Sequence, residues 1–429
     1  MTAKKAVDLF SFIAKQIQVF LEAHHGVLFT ASKKPEVQHI FSLGFTFSYP
    51  AYQRGINSGI LLRWTKGFDI PDAVGQDVCQ LLQHAIDELH LPVKVTALIN
   101  DAAGTIMSRA YTLPVSDTRT SVGAIFGTGT NGVYLEKLSK ITKELDGAYD
   151  KSTGEMFISC EWGSFDNALL VQPNTSYDAI LNKVSVNPGN QMFEKRVSGM
   201  FLGELLRIAL LGMHTDPEVG LFKDFKPNNA SEANGGVPFL TRWAVDTSIL
   251  SIAEMDNSDD LVILRQKVEE TLCIPAACIR VEDARAVKMI AHAIGRRAAR
   301  LAGMAVGSVI LKSGQLCDPV DPFTAGAETL SSIKRLSMGA PSSTLPLDGG
   351  LSSPLYEHSI VDVGVDGSVV EFYPGFETYM REALRAIDGI GPSGEKRIRI
   401  GIAKDGSSVG AAIIALFAAQ EVPIGIPVA

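Results

Sequence analysis

An amide and a carboxylate stand directly after a predicted strand. Residues 93–99 form an apolar run that predicts a strand, and Asn100 and Asp101 follow it, ahead of the turn-forming residues 102–105. Open α/β sheets place ligands at the carboxyl ends of their strands. A carboxylate there can accept a proton from a substrate hydroxyl that attacks a phosphoryl group. Considered alone, an Asp in this position is more often a cap of the next helix, so both interpretations stay open.

Three glycine-rich turns could hold phosphate. In GTGTN at 127–131 the glycines allow close approach, and backbone N–H groups and the hydroxyls of Thr128 and Thr130 could reach phosphate oxygens. DGS at 366–368 and DGSSVG at 405–410 each follow a predicted strand. The second also precedes a predicted helix, whose start offers unpaired N–H groups and partial positive charge. Turns without any ligand use the same residue types, so each motif is ambiguous by itself.

Three more charged side chains could contact a sugar. Lys66 in WTKGF could contact a sugar oxygen or a phosphate, although most lysines are solvated surface charges. Glu161 follows a predicted strand and Glu194 lies in a predicted helix, and each could accept hydrogen bonds from vicinal hydroxyls. The alternatives are a satisfied carboxylate at a strand end and an exposed helix residue.

Alternating strands and helices must position these side chains. In 43–49, apolar residues alternate with Gly44, Thr46 and Ser48, so that Ser48 lies on the face opposite the aromatics and could face a cleft. The segment 313–358 is rich in Ser, Pro, Gly and Leu and predicts a surface insertion or mobile loop. Strands are predicted over 43–49, 93–99, 122–126, 156–160, 360–365 and 397–402, and helices over 9–21, 191–213, 283–309 and 411–419.

Composition narrows the class of protein. The 429 residues are 46% hydrophobic and 20% charged, an ordinary globular composition with enough length for two lobes. The net charge of −8 argues against a broad basic surface for nucleic acid. Five cysteines without a C-x-x-C pair suggest reduced thiols rather than a zinc ribbon or a disulfide framework. The uncharged run 409–419 is about half of the ~20 residues of a membrane span. We therefore expect a cytoplasmic protein with small-molecule partners.

Taken together and in order, these segments resemble the hexokinase family, specifically its eukaryotic hexokinases and glucokinases. Eight collinear matches span nearly the whole chain, and the last of them is most similar to fungal glucokinases. The matches are LGFTFSYP at 43–50, GILLRWTKGF at 59–68, NDAAGT at 100–105, GTGTNGVYLE at 127–136, EWGSF at 161–165, NPGNQMFEKRVSGMFLGELLR at 187–207, VDGSV at 365–369 and AKDGSSVGAA at 403–412.

The resemblance implies a fold and a set of site residues. The fold is α/β, with two lobes of the actin-like ATPase (ribonuclease H-like) type: a small lobe of 1–101 completed by 406–429, and a large lobe of 102–405 carrying the 313–358 insertion. Asp101 would take the proton from the 6-hydroxyl of a hexose such as glucose, and Mg²⁺ would bridge the phosphates of ATP. The implied hexose contacts are Ser48, Thr65, Lys66, Asn100, Asp101, Asn131, Glu161 and Glu194. The implied nucleotide contacts are Gly127, Thr128, Gly129, Gly367, Ser368, Gly406 and Ser407.

The sequence also departs from the family pattern. Family members carry, ahead of the first helix, a strand and a D-x-G-G-T-N loop that wraps the ATP phosphates and supplies an acidic residue near the metal. This sequence begins after that point, so we expect weakened catalysis and a small-lobe sheet with an exposed edge. LDGGLSS at 347–353 follows no convincing strand and is not taken as a substitute. Ser408 stands where glycine is usual, and Asp166 and Asn167 follow EWGSF.

Three hypotheses follow from the sequence. The leading one is an ATP-dependent hexose 6-phosphotransferase that feeds glycolysis. The second is a catalytically impaired glucose-sensing protein, in which sugar binding changes a partner surface. The third is a truncated gene model or splice product that folds poorly and has no function of its own. The oligomeric state is not predicted.

Overall fold

Two groups of strands organise the chain. The computed structural model describes residues 3–26, 40–113, 119–145, 151–226, 236–316 and 360–421. In the amino-terminal part, β1 (Phe41–Thr46) pairs in parallel with β4 (Val93–Ile99). A hairpin of β2 (Ala51–Gly55) and β3 (Ser58–Leu61) lies beside them. The strand 93–99 has its predicted bounds, whereas β1 ends at Thr46, three residues before the predicted end.

Two helices bury their apolar faces against this first group of strands. Helix α1 spans Ala6–His24, and α2 spans Val78–Glu88. The carboxylate of Asp77 caps α2 by accepting the backbone N–H of Cys79 at 2.9 Å, which satisfies one of the free N–H groups of a helix start. Phe10, Leu82 and Ile86 are almost completely buried in the shared core. The burial of these apolar side chains therefore fixes β1 and β4 in place.

The second group is one mixed sheet of five strands in the order β7-β6-β5-β8-β9. Strands β5, β6 and β7 are antiparallel, and β5, β8 and β9 are parallel. Valines and other apolar residues make the central strands β5 and β8 nearly inaccessible to water. The bounds are β5 (Thr120–Phe126), β6 (Thr130–Lys137), β7 (Glu155–Ser159), β8 (Val361–Asp366) and β9 (Ile398–Ile402).

Helices cover this sheet. The predicted helix 191–213 is in fact two helices, because Ser198 takes an extended conformation, with φ −98° and ψ 147°, between them. The predicted insertion 313–358 lies outside the described residues from 317 onward. The helices are α3 (Asp101–Thr112), α4 (Ser176–Val184), α5 (Glu194–Val197), α6 (Gly199–Thr215), α7 (Ser248–Met255), α8 (Val262–Leu272), α9 (Val281–Ser313), α10 (Ser368–Phe372), α11 (Phe376–Ala386), α12 (Gly391–Glu395) and α13 (Gly406–Glu421).

Helix α13 returns to the amino-terminal strands and packs on α3, β1 and β4. The packing is close: a Cβ atom placed on Gly410 would lie 2.0 Å from the carbonyl oxygen of Gly104, so no side chain fits at this position. The α/β class is as predicted, while the lobe boundaries at residues 101 and 406 stay predictions. No helix in the described segments is both long and apolar enough to cross a membrane.

Candidate active site

One crevice gathers all eight residues that the sequence predicted to contact a hexose. Its walls come from the loop after β1, the loop after β3, the carboxyl end of β4, the start of β6, the end of β7 and the start of α5. The free space inside is about 20 Å³, roughly what a single water needs. The crevice must therefore widen to admit a sugar. The lining residues are Ser48, Pro50, Thr65, Lys66, Asn100, Asp101, Thr130, Asn131, Glu161, Gln191 and Glu194.

Asn100 and Asp101 lie where β4 passes directly into α3. The side chains of both residues accept the backbone N–H of Ala102, at 3.0 Å from Asn100 Oδ1 and 2.8 Å from Asp101 Oδ1. The N-cap of α3 is Asn100, and Asp101 is the first residue of the helix, where its carboxylate shares the N–H of Ala102 with the cap. Within the described residues the other carboxylate oxygen of Asp101 has no hydrogen bond, and Asp101 faces the crevice. An Asp in this position can share the capping N–H and still accept a proton.

Asn131 and Glu161 hold each other at the opposite wall. Asn131 Nδ2 donates to Glu161 Oε1 at 2.9 Å, and Asn131 Oδ1 accepts the backbone N–H of Glu161 at 3.0 Å. Glu161 has a left-handed backbone, with φ 48° and ψ 40°, which is uncommon for a residue with a side chain. The paired hydrogen bonds fix this conformation, so that an exposed carboxylate is presented at the end of β7 in one orientation.

Glu194 is the most deeply buried acid of the crevice, with 3% of its surface exposed. Burial raises the pKa of its carboxyl group, and the Thr130 N–H and the charge of Lys66 offset part of that rise. Thr130 donates its backbone N–H to Glu194 Oε2 at 3.1 Å. A Cβ atom on Gly129 would lie 2.8 Å from that oxygen and 2.9 Å from Lys66 Cε. The glycine therefore allows the turn, the carboxylate and the lysine to meet.

Lys66, in the loop after β3, is held over the crevice by the loop after β1. Its backbone is left-handed, with φ 56°, and its Nζ donates to the carbonyl of Ser48 at 3.1 Å. The ammonium lies 5.4 Å from the centre of the Tyr49 ring. Trp64 and Phe68 stack on each other, and both contact Tyr49 edge-on. Burial raises the pKa of Tyr49 to about 12, so this ring stays neutral. Lys66 is thus a fixed charge rather than a solvated surface lysine.

The structure adds one crevice residue and reassigns another. Gln191, which the sequence did not single out, lines the crevice with a left-handed backbone, φ 54°, and its Nε2 lies 3.5 Å from Glu194 Oε1. The signal that could have found it is its place three residues before Glu194. The hydroxyl of Thr130, considered above for phosphate, is used internally: it donates to the Ile125 carbonyl and accepts from Trp162 Nε1.

The two departures after EWGSF have structural roles. Asp166 accepts three backbone N–H groups, from Leu170, Val171 and Gln172, at 2.7 to 2.9 Å, and so closes the turn that follows the crevice. Asn167 Oδ1 accepts the N–H of Met192 at 3.1 Å, next to Gln191. These residues support the crevice wall from outside.

Two of the glycine turns meet beside the crevice. A Cβ atom on Gly367, whose φ is 118°, would lie 2.6 Å from the backbone nitrogen of Gly127, so only glycine fits there. Thr128 and Ser368 both line an adjoining cavity of about 760 Å³, bounded also by Gly199, Thr247 and Tyr373. A cavity of this size falls within the usual range for small-molecule sites.

The third turn is arranged differently from the expectation. The backbone N–H of Gly406, predicted to be unpaired at the start of α13, donates to the carbonyl of Ala403 at 2.9 Å, and the N–H groups of Gly406 and Ser407 lie near the carboxylate of Asp366. Burial raises the pKa of Asp366, and these N–H groups and that of Gly367 moderate the rise. Gly406 and Ser407 therefore lie beside the 366–368 turn, close to the carboxylate of Asp366. No group of three or more metal-binding side chains occurs among the residues that the structure describes.

Known proteins are similar to this chain over nearly its whole length. The glucokinase of Aspergillus niger is 46% identical over 98% of this chain and 78% of its own length, and glucokinase-1 of Saccharomyces cerevisiae is 38% identical over 96% and 75%. The solved hexokinase from Schistosoma mansoni complexed with glucose aligns with a TM-score of 0.70 and 30% identity, over 96% of this chain and 75% of that one.

The fold is that of the actin-like ATPases, as predicted, since the solved structures that align with it have that architecture. Two family models, both described as hexokinase, match residues 1–111 and 121–417. The chain belongs to the hexokinase family.

Proposed function

We propose that this protein transfers the γ-phosphoryl group of ATP to the 6-hydroxyl of a hexose, with glucose as the first substrate to test. The observation that carries the proposal is the convergence of eight side chains from six separate segments on one crevice around Asp101. Several carboxylates and amides in fixed positions can hold one sugar orientation through its hydroxyl groups.

Asp101 serves as the base in this proposal. As the oxygen of the 6-hydroxyl attacks the γ-phosphorus, its proton passes to the free carboxylate oxygen of Asp101, and the bond from phosphorus to the bridging oxygen of ADP breaks. Glu161, Glu194 and Asn131 would accept or donate hydrogen bonds to the ring hydroxyls. Lys66 would donate to a sugar or phosphoryl oxygen from its fixed position.

ATP is placed in the cavity lined by Thr128 and Ser368, where two glycine turns allow phosphate to approach backbone N–H groups. Gly127, Gly129 and Gly367 would contribute through that close approach, and Gly406 and Ser407 would flank the nucleotide. Mg²⁺ typically binds through substrate phosphates and one or two carboxylates, and Asp366, directly before the Gly367 turn, would be such a carboxylate. When bound, it neutralises phosphate charge.

The glucose-sensing alternative is not favoured, because the relatives that match over nearly the whole chain carry the names of glucokinases and hexokinases. Hexose phosphorylation is the entry step of glycolysis, and we place the activity there and in the cytoplasm.

The test combines a coupled assay for glucose 6-phosphate with calorimetry of glucose binding to the purified chain. We expect turnover that requires both glucose and Mg²⁺-ATP. Glucose binding without any turnover would support the sensor instead. Absence of both binding and turnover would show that the crevice is not a hexose site.

A further inference from the structure

A lysine is buried directly behind the crevice and has only neutral partners at its charged end. Lys195 has 1% of its surface exposed. Its Nζ donates to Asn182 Oδ1 at 2.9 Å and to the carbonyl oxygens of Asn187 and Asn190 at 2.7 and 2.8 Å. An ammonium has three protons, and each is used by one of these acceptors.

These three contacts hold the turn that leads into the crevice. Asn182 Oδ1 also accepts the N–H of Gly189 at 2.9 Å, so one amide oxygen joins the turn to the ammonium. The backbone N–H of Lys195 donates to the carbonyl of Gln191 at 3.1 Å. Gln191 and Glu194 lie between this turn and Lys195 in the chain. Both line the crevice, whereas Lys195 itself does not.

We propose that Lys195 is a positioning residue for the hexose crevice: its ammonium fixes residues 187–190 and thereby places Gln191 and Glu194. The inference rests on the proposed hexose site and adds to it a residue that never contacts the sugar. Loss of one ammonium proton would release one of the three acceptors and loosen the turn.

The charges around Lys195 do not favour its ammonium form. Burial, aided by the positive charge of Arg196 and opposed by Glu194, lowers the pKa of Lys195 to about 8. The neighbouring elements present charges that are already paired, Asp178 of α4 with Arg297 of α9, and Glu204 with Arg207 in α6. Lys195 thus loses its charge near pH 8 rather than near its ordinary value of about 10.4.

Stability and hexose affinity should then respond to pH in opposite directions. A lysine with a lowered folded-state pKa contributes stability above its ordinary pKa, and that contribution is lost as the pH falls through 8. Raising the pH from 7 to 9 therefore favours the fold through this group. The same change removes a proton from the turn, so hexose binding weakens. A purely structural lysine would not produce this divergence.

The decisive variant is Asn182→Asp, which keeps an oxygen acceptor for both Lys195 and Gly189 and adds a negative charge beside the ammonium. An opposite charge at this distance raises the pKa of a lysine by about one unit or more. Lys183→Met is the matched control, because it changes the net charge by the same amount at the adjacent, exposed position. Neither variant alters a crevice residue.

The experiment measures the glucose Kd by calorimetry from pH 6.5 to 9.5 for the three proteins, with thermal stability in the same buffers. We expect the wild-type Kd to rise roughly fivefold above pH 8, the factor that one hydrogen bond carries. In Asn182→Asp the rise moves up by about one pH unit, and in Lys183→Met it stays in place. A flat wild-type profile, or an Asn182→Asp profile that superimposes on wild type, overturns the proposal while leaving the hexose site intact. If glucose binds at none of these pH values, both the Lys195 proposal and the proposed hexose site are overturned.

Discussion

The carboxylate of Glu194 accepts the backbone N–H of Thr130 at 3.1 Å. Thr130 begins β6 directly after the Gly127–Gly129 turn, and Glu194 begins α5 and lines the hexose crevice. The turn assigned to phosphate and a wall of the sugar site are therefore joined by one hydrogen bond. A substitution at this junction can therefore affect both sugar binding and phosphoryl transfer, and measuring the two separately shows which of them it changes.

Asp101→Asn should remove the base and preserve the fold, since an amide oxygen can still accept the N–H of Ala102. General-base catalysis contributes roughly 10²- to 10⁴-fold, so we expect kcat to fall by that range. Steady-state assays with glucose and ATP measure the loss, and calorimetry should show that glucose still binds. Asp87→Asn, at an exposed carboxylate of α2, is the control. Unchanged kcat in Asp101→Asn would remove Asp101 from the mechanism.

Glu194→Gln should weaken glucose binding and change its pH dependence. Because burial raises the pKa of Glu194, this carboxyl group gains its proton at a higher pH than an ordinary glutamate, about 4.3. Wild-type affinity should therefore fall on acidification from above that value, as the acceptor becomes protonated. Glutamine cannot titrate, so the variant should bind glucose weakly, and its affinity should not fall on acidification.

The fold responds to Glu194 in the reverse sense. A raised folded-state pKa means that its stabilising contribution is present at low pH and is lost as the pH rises through the folded value. Glu194→Gln should therefore melt at the same or a higher temperature than wild type at pH 7, despite its weaker binding. A lower melting temperature together with unchanged glucose affinity would contradict the assignment.

Gly129→Ala should test the close approach of the turn to the crevice. The added methyl group would lie 2.8 Å from Glu194 Oε2 and 2.9 Å from Lys66 Cε, so both side chains must move. Overpacking of this kind costs roughly 1 to 3 kcal/mol, and if that cost falls on the bound state, glucose affinity drops by roughly 5- to 150-fold. Gly55→Ala is the control, because a methyl group there meets no atom within 4 Å. Equal affinities for the two variants would show that the turn moves freely.

Asp362→Asn should lower the free energy of unfolding without reaching the site. Asp362 is fully buried in β8, where Arg109, Arg399 and Thr120 donate hydrogen bonds to its carboxylate. Removing the charge leaves two arginines without their partner, and breaking a buried pair costs roughly 3 kcal/mol or more. Denaturant titration at pH 7 measures this loss. Glu155→Gln, which breaks the exposed Arg119 pair, should cost less than about 1 kcal/mol.

The pH dependence of the same group gives an independent check. Burial acts to raise the pKa of Asp362, but the hydrogen bonds from Arg109, Thr120 and Arg399 outweigh it and lower the pKa. Its stabilising contribution is therefore present above about pH 4 and is lost as the pH falls through the folded value. Wild type and Asp362→Asn should converge in stability on acidification. A constant difference down to pH 2 would show that the pair does not carry the effect.

Local patterns determined much of this protein from the sequence by itself. The run 93–99 is a strand with its predicted bounds because seven residues, mostly apolar, are followed by Asn100, whose side chain caps the next helix. The glycine turn at 127–129 joins two antiparallel strands, since the backbone freedom of glycine is a property of the residue itself. Six of the eight crevice residues were already candidates from their residue type and their place along the chain, whereas Thr65 and Asn131 came from the family resemblance.

Only the tertiary structure decided which polar groups are free and which are used. The Thr130 hydroxyl is taken by Trp162 and Ile125, and the N–H groups at the start of α13 lie beside the carboxylate of Asp366, although neither arrangement is visible in the sequence. Ser198 divides a predicted helix, and Lys195 is buried although lysines are usually solvated. The hydrogen-bond partners of a side chain and the extent of its burial depend on segments that are far away in the chain. These segments come together only when the strands and helices pack.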